Sequence, residues 1–189
     1  TLEPTASLCD CSEFIASAYK LQVPHTPGTP LSLLIGRVFA MLSFGDVTNV
    51  AVALNFMSAL FSAMTAFLVY HIIYHLGESV ISETRFPEAV LIISSLAGRL
   101  CLPFSRTFWF SSVEAETYGA ACFFLMLLVW LILKGRDLTV HEKAKRLLLI
   151  SYLAGLSYCI HPMCLLALPI LPFTWGTVNR KITFRNGMV

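Results

Sequence analysis

Apolar residues in this chain run in long blocks, and the few charged residues fall between them. Residues 47–77 contain no Asp, Glu, Lys or Arg, and they exceed the roughly 20 apolar residues a helix needs to cross a bilayer. Residues 86–103 form a second block, with Glu88 near one end and Arg99 near the other, and residues 117–133 form a third. Residues 147–179 again lack those charges, are too long for one upright helix, and are interrupted by His161-Pro162. Proline cannot donate a backbone hydrogen bond, so the pattern predicts a hairpin of two short helices within 147–175. A single tilted, kinked span is the alternative.

The first 46 residues follow a different pattern. From Glu13 to Leu21 the apolar residues Phe14, Ile15, Ala18, Tyr19 and Leu21 recur at helical spacing. This predicts a short amphipathic helix along the membrane interface. Residues 23–28 read as a Pro/Gly turn, and Thr29-Pro30 as an N-cap followed by proline at the first helical position. The next helix, over 31–42, is apolar on most sides and either buries Arg37 or snorkels it. The expected organisation is a loop with interfacial helices over 1–46 and a transmembrane region over 47–189. The fold class is all-α, a polytopic transmembrane helical bundle.

Composition agrees: 57% hydrophobic and 13% charged residues are too apolar and too sparsely charged for a soluble domain, and the mean hydropathy is +0.74. A net charge of +2, with no basic run interleaved with aromatics, speaks against nucleic acid. The chain starts at Thr1 without a methionine or a signal-peptide pattern and reads as a piece of something longer. Cys9 and Cys11 form C-x-C with no second pair at zinc spacing, and Cys122, Cys159 and Cys164 sit in apolar runs. No metal site is expected.

Basic residues are retained on the cytoplasmic side of membranes. Lys134, Arg136, Lys143, Lys145 and Arg146 mark a cytoplasmic loop, and Arg180, Lys181 and Arg185 a cytoplasmic tail. Counting back through the spans puts 1–46, 104–116 and the His161 turn on the extracytoplasmic side, so the polar clusters share one face.

Each cluster has a plain and a sharper reading. Asp10 and Glu13 have capping-box spacing. An Asp held at the membrane surface also suits proton abstraction from an acceptor hydroxyl. Glu114 and Glu116 either favour a helix N-terminus or pair with Arg99, Arg106 or Arg37 across a cavity. Trp109 and its neighbouring phenylalanines read as an interface belt rather than a sugar platform. Tyr70, His71, Tyr74 and His75 read as the inner interface. His161 is either a packed histidine or a ligand.

The stretch TLEPTASLCDCSEFIASAYKLQVPHTPGTPLSLLIGR carries the elements T-x-E-P-T, D-C-x-E-F-I-A-x-A-Y-K-L and H-x-P-G-x-P-L. FSRTFWFSSVEAETYG and GLSYCIHPMCLLALP follow in order. Together they resemble a multi-span membrane family long catalogued as a domain of unknown function. It has bacterial members, common in Bacteroidetes, and an animal member that is an endoplasmic-reticulum protein O-mannosyltransferase of plexin-type receptors. The resemblance implies a GT-C-type glycosyltransferase lacking here its first and later transmembrane helices. It implies a polyprenyl-phosphate sugar donor, mannose by analogy, a protein acceptor, and no nucleotide or other cofactor. By motif, Asp10 is the general base and Glu13 its supporting acid. Arg37, Arg106 or Lys20 is a candidate to neutralise the donor phosphate. His25, Arg37, Arg106, Glu114, Glu116, Tyr118 and His161 are candidates for the donor and acceptor cavity. Ser12 stands where the family has Gly, and Pro162 where it has an apolar residue. The expected location is a multi-pass protein of the bacterial inner membrane, or of the endoplasmic reticulum, with its active face extracytoplasmic. The rival readings are a transporter or flippase, which predicts inverted repeats, and a non-catalytic membrane scaffold.

Overall fold

The computed structural model describes residues 2–6, 10–26, 28–81, 86–136 and 138–175, and these form helices and short connections with no strand among them. Cys9 and the basic tail residues Arg180, Lys181 and Arg185 lie outside the described residues. The helices are α1 (Cys11–Lys20), α2 (Pro30–Met41), α3 (Val50–Glu78), α4 (Pro87–Phe104), α5 (Arg106–Val113), α6 (Thr117–Lys134), α7 (Val140–Tyr158) and α8 (Ile170–Trp175). Three of them, α3 with its preceding turn, α4 and α6, are long and apolar enough to cross a membrane. The architecture is a helical membrane bundle.

The centre of the bundle is α3, which α1, α2, α4, α5 and α6 all touch. It is apolar on every side, as expected of a helix with no aqueous face. Its backbone is closely approached by α6. A Cβ at Gly119 would lie 3.1 Å from the Ser58 carbonyl and 3.3 Å from the Ser62 hydroxyl. Only glycine lets the two backbones come this close, the usual device where lipid removes the hydrophobic drive for helix association. In contrast, α4 buries only Leu91 and Ser95 and leaves the rest of an apolar surface open. That is how a lipid-facing helix behaves.

Residues 2–6 meet one end of α3. Buried Asn55 donates through Nδ2 to the carbonyls of Glu3 at 2.6 Å and Thr5 at 3.3 Å. The Glu3 amide donates to the Val113 carbonyl at 3.4 Å. Residues 2–6 are thereby stitched between α3 and α5. Beside them, Ala18, Leu33, Ala40 and Leu54 form a core joining α1 and α2 to α3, with Phe14, Ile15 and Tyr19 packed on it.

Several expectations need correction. Asp10 is the N-cap of α1, but its side chain makes no capping bond, and Glu13 turns to His25, so no capping box forms there. The capping box is instead at Thr139 and Glu142, where α7 begins. Lys143, Lys145 and Arg146 are therefore helical rather than part of a loop. Thr29 does precede α2, with Pro30 first in the helix, but Thr29 has a left-handed backbone (φ 32°) and makes no side-chain cap. The connection at 104–116 contains a helix, α5, that the sequence pattern did not suggest.

At His161-Pro162 the helix does break. His161 is extended, and its Nδ1 accepts the Met163 amide at 3.1 Å. The chain then runs along α6: Cys164 Sγ donates to the Ala121 carbonyl at 3.5 Å, and Trp175 Nε1 donates to the Ile132 carbonyl at 2.8 Å. This segment is a 3-10 turn (Pro162–Ala167) followed by the short α8, shorter than a full span.

The close approach at Gly119 yields a prediction. Gly119→Val forces side-chain atoms into the α3 backbone and lowers stability by roughly 1–3 kcal/mol. Gly155→Ala, where nothing lies within 4 Å of the new Cβ, leaves it unchanged or slightly higher. Thermal unfolding of the full-length protein in detergent checks both.

Candidate active site

Two local features bring the polar residues together. The first is the extended backbone of Glu114 (φ −119°, ψ 149°) and Glu116 (φ −109°, ψ 158°) between α5 and α6. Side chains two apart on an extended strand point the same way, so the alternate acids of V-E-A-E face one side. The second is the start of α1, which presents Asp10, Cys11 and Glu13 within its first turn.

Cys11 joins them. Its thiol is buried and lies 3.4 Å from Glu116 Oε1 and 3.6 Å from Glu114 Oε2. A weak donor between two carboxylates is the bond that local geometry offers them. Ser58 Oγ approaches the Glu116 carbonyl at 3.5 Å, tying the same turn to α3. Glu114 is buried and Glu116 half-buried. Burial pushes the Glu116 carboxyl above the ordinary glutamate range, and nearby Asp10 and Glu114 add to the shift.

Glu13 grips His25 twice. One carboxylate oxygen accepts the His25 amide at 2.6 Å, and the other accepts ring Nδ1–H at 2.8 Å. Phe14 packs near the imidazole, with ring centres 5.9 Å apart. The ring's Nε2 is left facing Asp10 Oδ2 at 3.9 Å. The bond to His25 lowers the Glu13 carboxyl, and the same bond raises the His25 imidazole. Asp10, Glu13 and His25 offer ligand atoms all within 4.8 Å of one another.

The candidates thus divide. Asp10, Glu13, His25, Glu114 and Glu116 converge at one end of the bundle. Tyr118 and His161 form a second pair beside it, their rings 5.5 Å apart. The Leu31 amide bonds the Cys159 carbonyl at 3.2 Å, holding the start of α2 to the end of α7. The basic candidates lie elsewhere. Arg37 donates to the Tyr19 carbonyl and sits over the Tyr19 ring, closing the end of α1. Lys20 is at that same end of α1, about 15 Å along the helix from Asp10. Arg106 is exposed at the start of α5, the end remote from Glu114. Among the described residues, no ion pair joins Glu114 or Glu116 to Arg37, Arg99 or Arg106, so that pairing is not made. The residue sequence reasoning missed is Cys11. Its signal was present in the helical register, which turns it inward beside an outward Asp10.

An apolar groove of about 450 Å³ lies between α3 and α5. Phe56, Ala63, Phe108, Trp109 and Val113 line it, and Val113 adjoins the acidic turn. Trp109 is thus a groove wall.

Fold and site define a helical membrane protein with an acid-rich polar end. The profile of the family described as protein O-mannosyl-transferase TMEM260 N-terminal domain matches residues 10–182, and the chain belongs to that family. A mouse protein named protein O-mannosyl-transferase TMEM260 is 30% identical over 167 residues, 87% of this chain and 22% of its own length. A Dictyostelium discoideum protein of the same name is 23% identical over 134 residues, 69% of this chain and 14% of its own length. The chain spans less than a quarter of either relative. No solved structure matches it.

The Glu13–His25 contact has a defined pH window. Its histidine component is fully present below the ordinary value of 6.5 and lost as pH rises through the raised value. Its glutamate component is present above 4.5 and lost as pH falls through the lowered value. Protection of residues 22–26 against hydrogen exchange, corrected for intrinsic rate, is greatest between those limits and weakens on both sides. His25→Ala removes the dependence.

Proposed function

We propose that this chain is the catalytic end of a GT-C-type protein O-mannosyltransferase. It moves mannose from a polyprenyl-phosphate carrier to a Ser or Thr hydroxyl on the extracytoplasmic side. The observation that carries this reading is the gathering of Asp10, Glu13, His25, Glu114 and Glu116 at one end of an apolar bundle, in a chain of the TMEM260 N-terminal family. The names of the mouse and Dictyostelium relatives supply the reaction class.

The reaction is a single displacement. The acceptor oxygen attacks the anomeric carbon, the bond to the phosphate oxygen breaks, and the lipid phosphate leaves with its electron pair. Asp10 takes the hydroxyl proton. Its side chain is 56% exposed, which suits an acceptor as large as a protein. The leaving group is good, so catalysis is chiefly positioning and charge stabilisation. The groove beside Phe108 and Trp109 suits an isoprenoid tail: its lining is apolar, it belongs to a candidate span, and it adjoins the acidic turn.

Asp10→Asn keeps the size of the side chain and removes the base. In membranes carrying the full-length protein and radiolabelled polyprenyl-phosphate mannose, it lowers transfer by about 10²–10⁴-fold. Transfer equal to wild type excludes Asp10 as the base, and no transfer by wild type from this donor rejects the reading. Ala63→Trp fills the groove. It raises KM for the donor about tenfold, a loss of roughly 1.4 kcal/mol, and leaves kcat nearly unchanged; an unchanged KM excludes the groove as the lipid site.

A further inference from the structure

We infer that Glu13 and His25 work as a dyad that draws off the proton taken by Asp10, with His25 Nε2 as its destination and Glu13 as the positioning residue. The inference rests on the proposed transferase reading and adds a step to it.

A glutamate serving only to tie down the 22–26 connection would need one bond, to the backbone. Glu13 makes two bonds to the same residue, one to the His25 amide at 2.6 Å and one to ring Nδ1 at 2.8 Å. A carboxylate can only accept, so Nδ1 carries the hydrogen. The neutral ring then has its lone pair on Nε2. The double grip fixes both the tautomer and the plane of the ring, and Phe14 flanks it. Nε2 faces Asp10 Oδ2 at 3.9 Å, a gap that a small closure around an acceptor, or one water, brings within proton-transfer reach.

The chemistry runs downhill. As a class, an imidazole is a stronger base than a carboxylate, and the bond to Glu13 strengthens this one further. The hydroxyl proton goes to Asp10, then from Asp10 to Nε2. Asp10 is again a carboxylate, His25 is an imidazolium, and the leaving phosphate holds the electron pair of the broken bond. His25 later releases the proton to water, to which it is half exposed. The imidazolium is stabilised by the groups that face it, Glu13 and Asp10 from α1 and Glu116 from the start of α6.

The test is a pH profile of kcat and KM for the full-length protein in membranes, with polyprenyl-phosphate mannose as donor and a Ser/Thr-bearing acceptor protein. Nε2 must be unprotonated to accept, so wild-type kcat falls as pH drops through an acid limb lying above the ordinary histidine value of 6.5. Glu13→Gln retains an oxygen acceptor but loses the charge; it moves the limb to lower pH and reduces kcat with KM unchanged. His25→Gln loses about 100-fold in kcat, loses the limb, and recovers part of its activity when imidazole is added. Thermal unfolding of each variant separates these effects from misfolding.

A His25→Gln enzyme that keeps the limb and gains nothing from imidazole overturns the dyad while leaving Asp10 as the base. Wild-type activity abolished by a chelator and restored by Mg²⁺ or Mn²⁺ also overturns it, because an ion on Nε2 blocks proton acceptance. A wild type that transfers nothing from this donor rejects the transferase reading and the dyad with it.

Discussion

The approach of α3 and α6 at Gly119 governs the rest of the molecule. In hydrocarbon two helices gain nothing by hiding apolar surface from each other, since lipid is as apolar as leucine. What remains is contact, and contact depends on how near the backbones come. Gly119 sets that distance against Ser58 and Ser62, and Ala120 and Ala121, both buried, extend the small-residue face. Once α6 is seated there, the turn before it cannot drift. The Glu116 carbonyl meets the Ser58 hydroxyl, and the two glutamates are delivered to Cys11. The acidic end is a consequence of packing inside the bundle.

The spans were readable because bilayer thickness imposes a length and a composition that few other constraints imitate. The pattern placed the starts and ends of α3, α4 and α6 within a few residues, and proline marked the break after α7. The converging acids were also readable, since Asp10 and Glu114 fall in polar stretches that the spans place at one end. Failures came where a distant partner outbid a local one. Glu13 sits at the third helical position, where spacing favours a capping box, yet a residue twelve positions on offers both an amide and a ring N–H. Arg37 looked like a counter-ion for the acids. Instead it meets the carbonyl of Tyr19, one of the carbonyls that every helix end leaves without an internal partner. The helical part of 104–116 was missed because its hydrophobic pattern has no face, and Ser105 capping the Phe108 amide is its main local cue.

The four acids of the site are not equivalent. Glu114 is buried, Glu116 is half-buried, and both turn toward one thiol. A thiol is a weak donor to set between two carboxylates in a medium of low dielectric. Burial accordingly raises the Glu116 carboxyl. Asp10 and Glu13, at 56% and 41% side-chain exposure, face water instead, where a carboxylate charge is cheap. The inner pair is suited to holding the turn in place, and the exposure of the outer pair fits the substrate-facing role proposed for it.

That division also separates the routes by which the proposed substrates arrive. A protein acceptor, confined to water, would reach Asp10, Glu13 and His25 from their exposed side. On that proposal an isoprenoid tail, confined to hydrocarbon, would reach the acidic turn through the groove that Phe108 and Trp109 line. The two proposed routes converge where α5 ends and α6 begins, at the extended Glu114–Glu116 backbone. A catalytic group is useful there only if it stands between a wet side and a greasy one. Asp10, the proposed base, is placed for that role because α1 packs on α2 and α3 through Ala18, Leu33 and Leu54 and thereby sets its own first turn against that backbone.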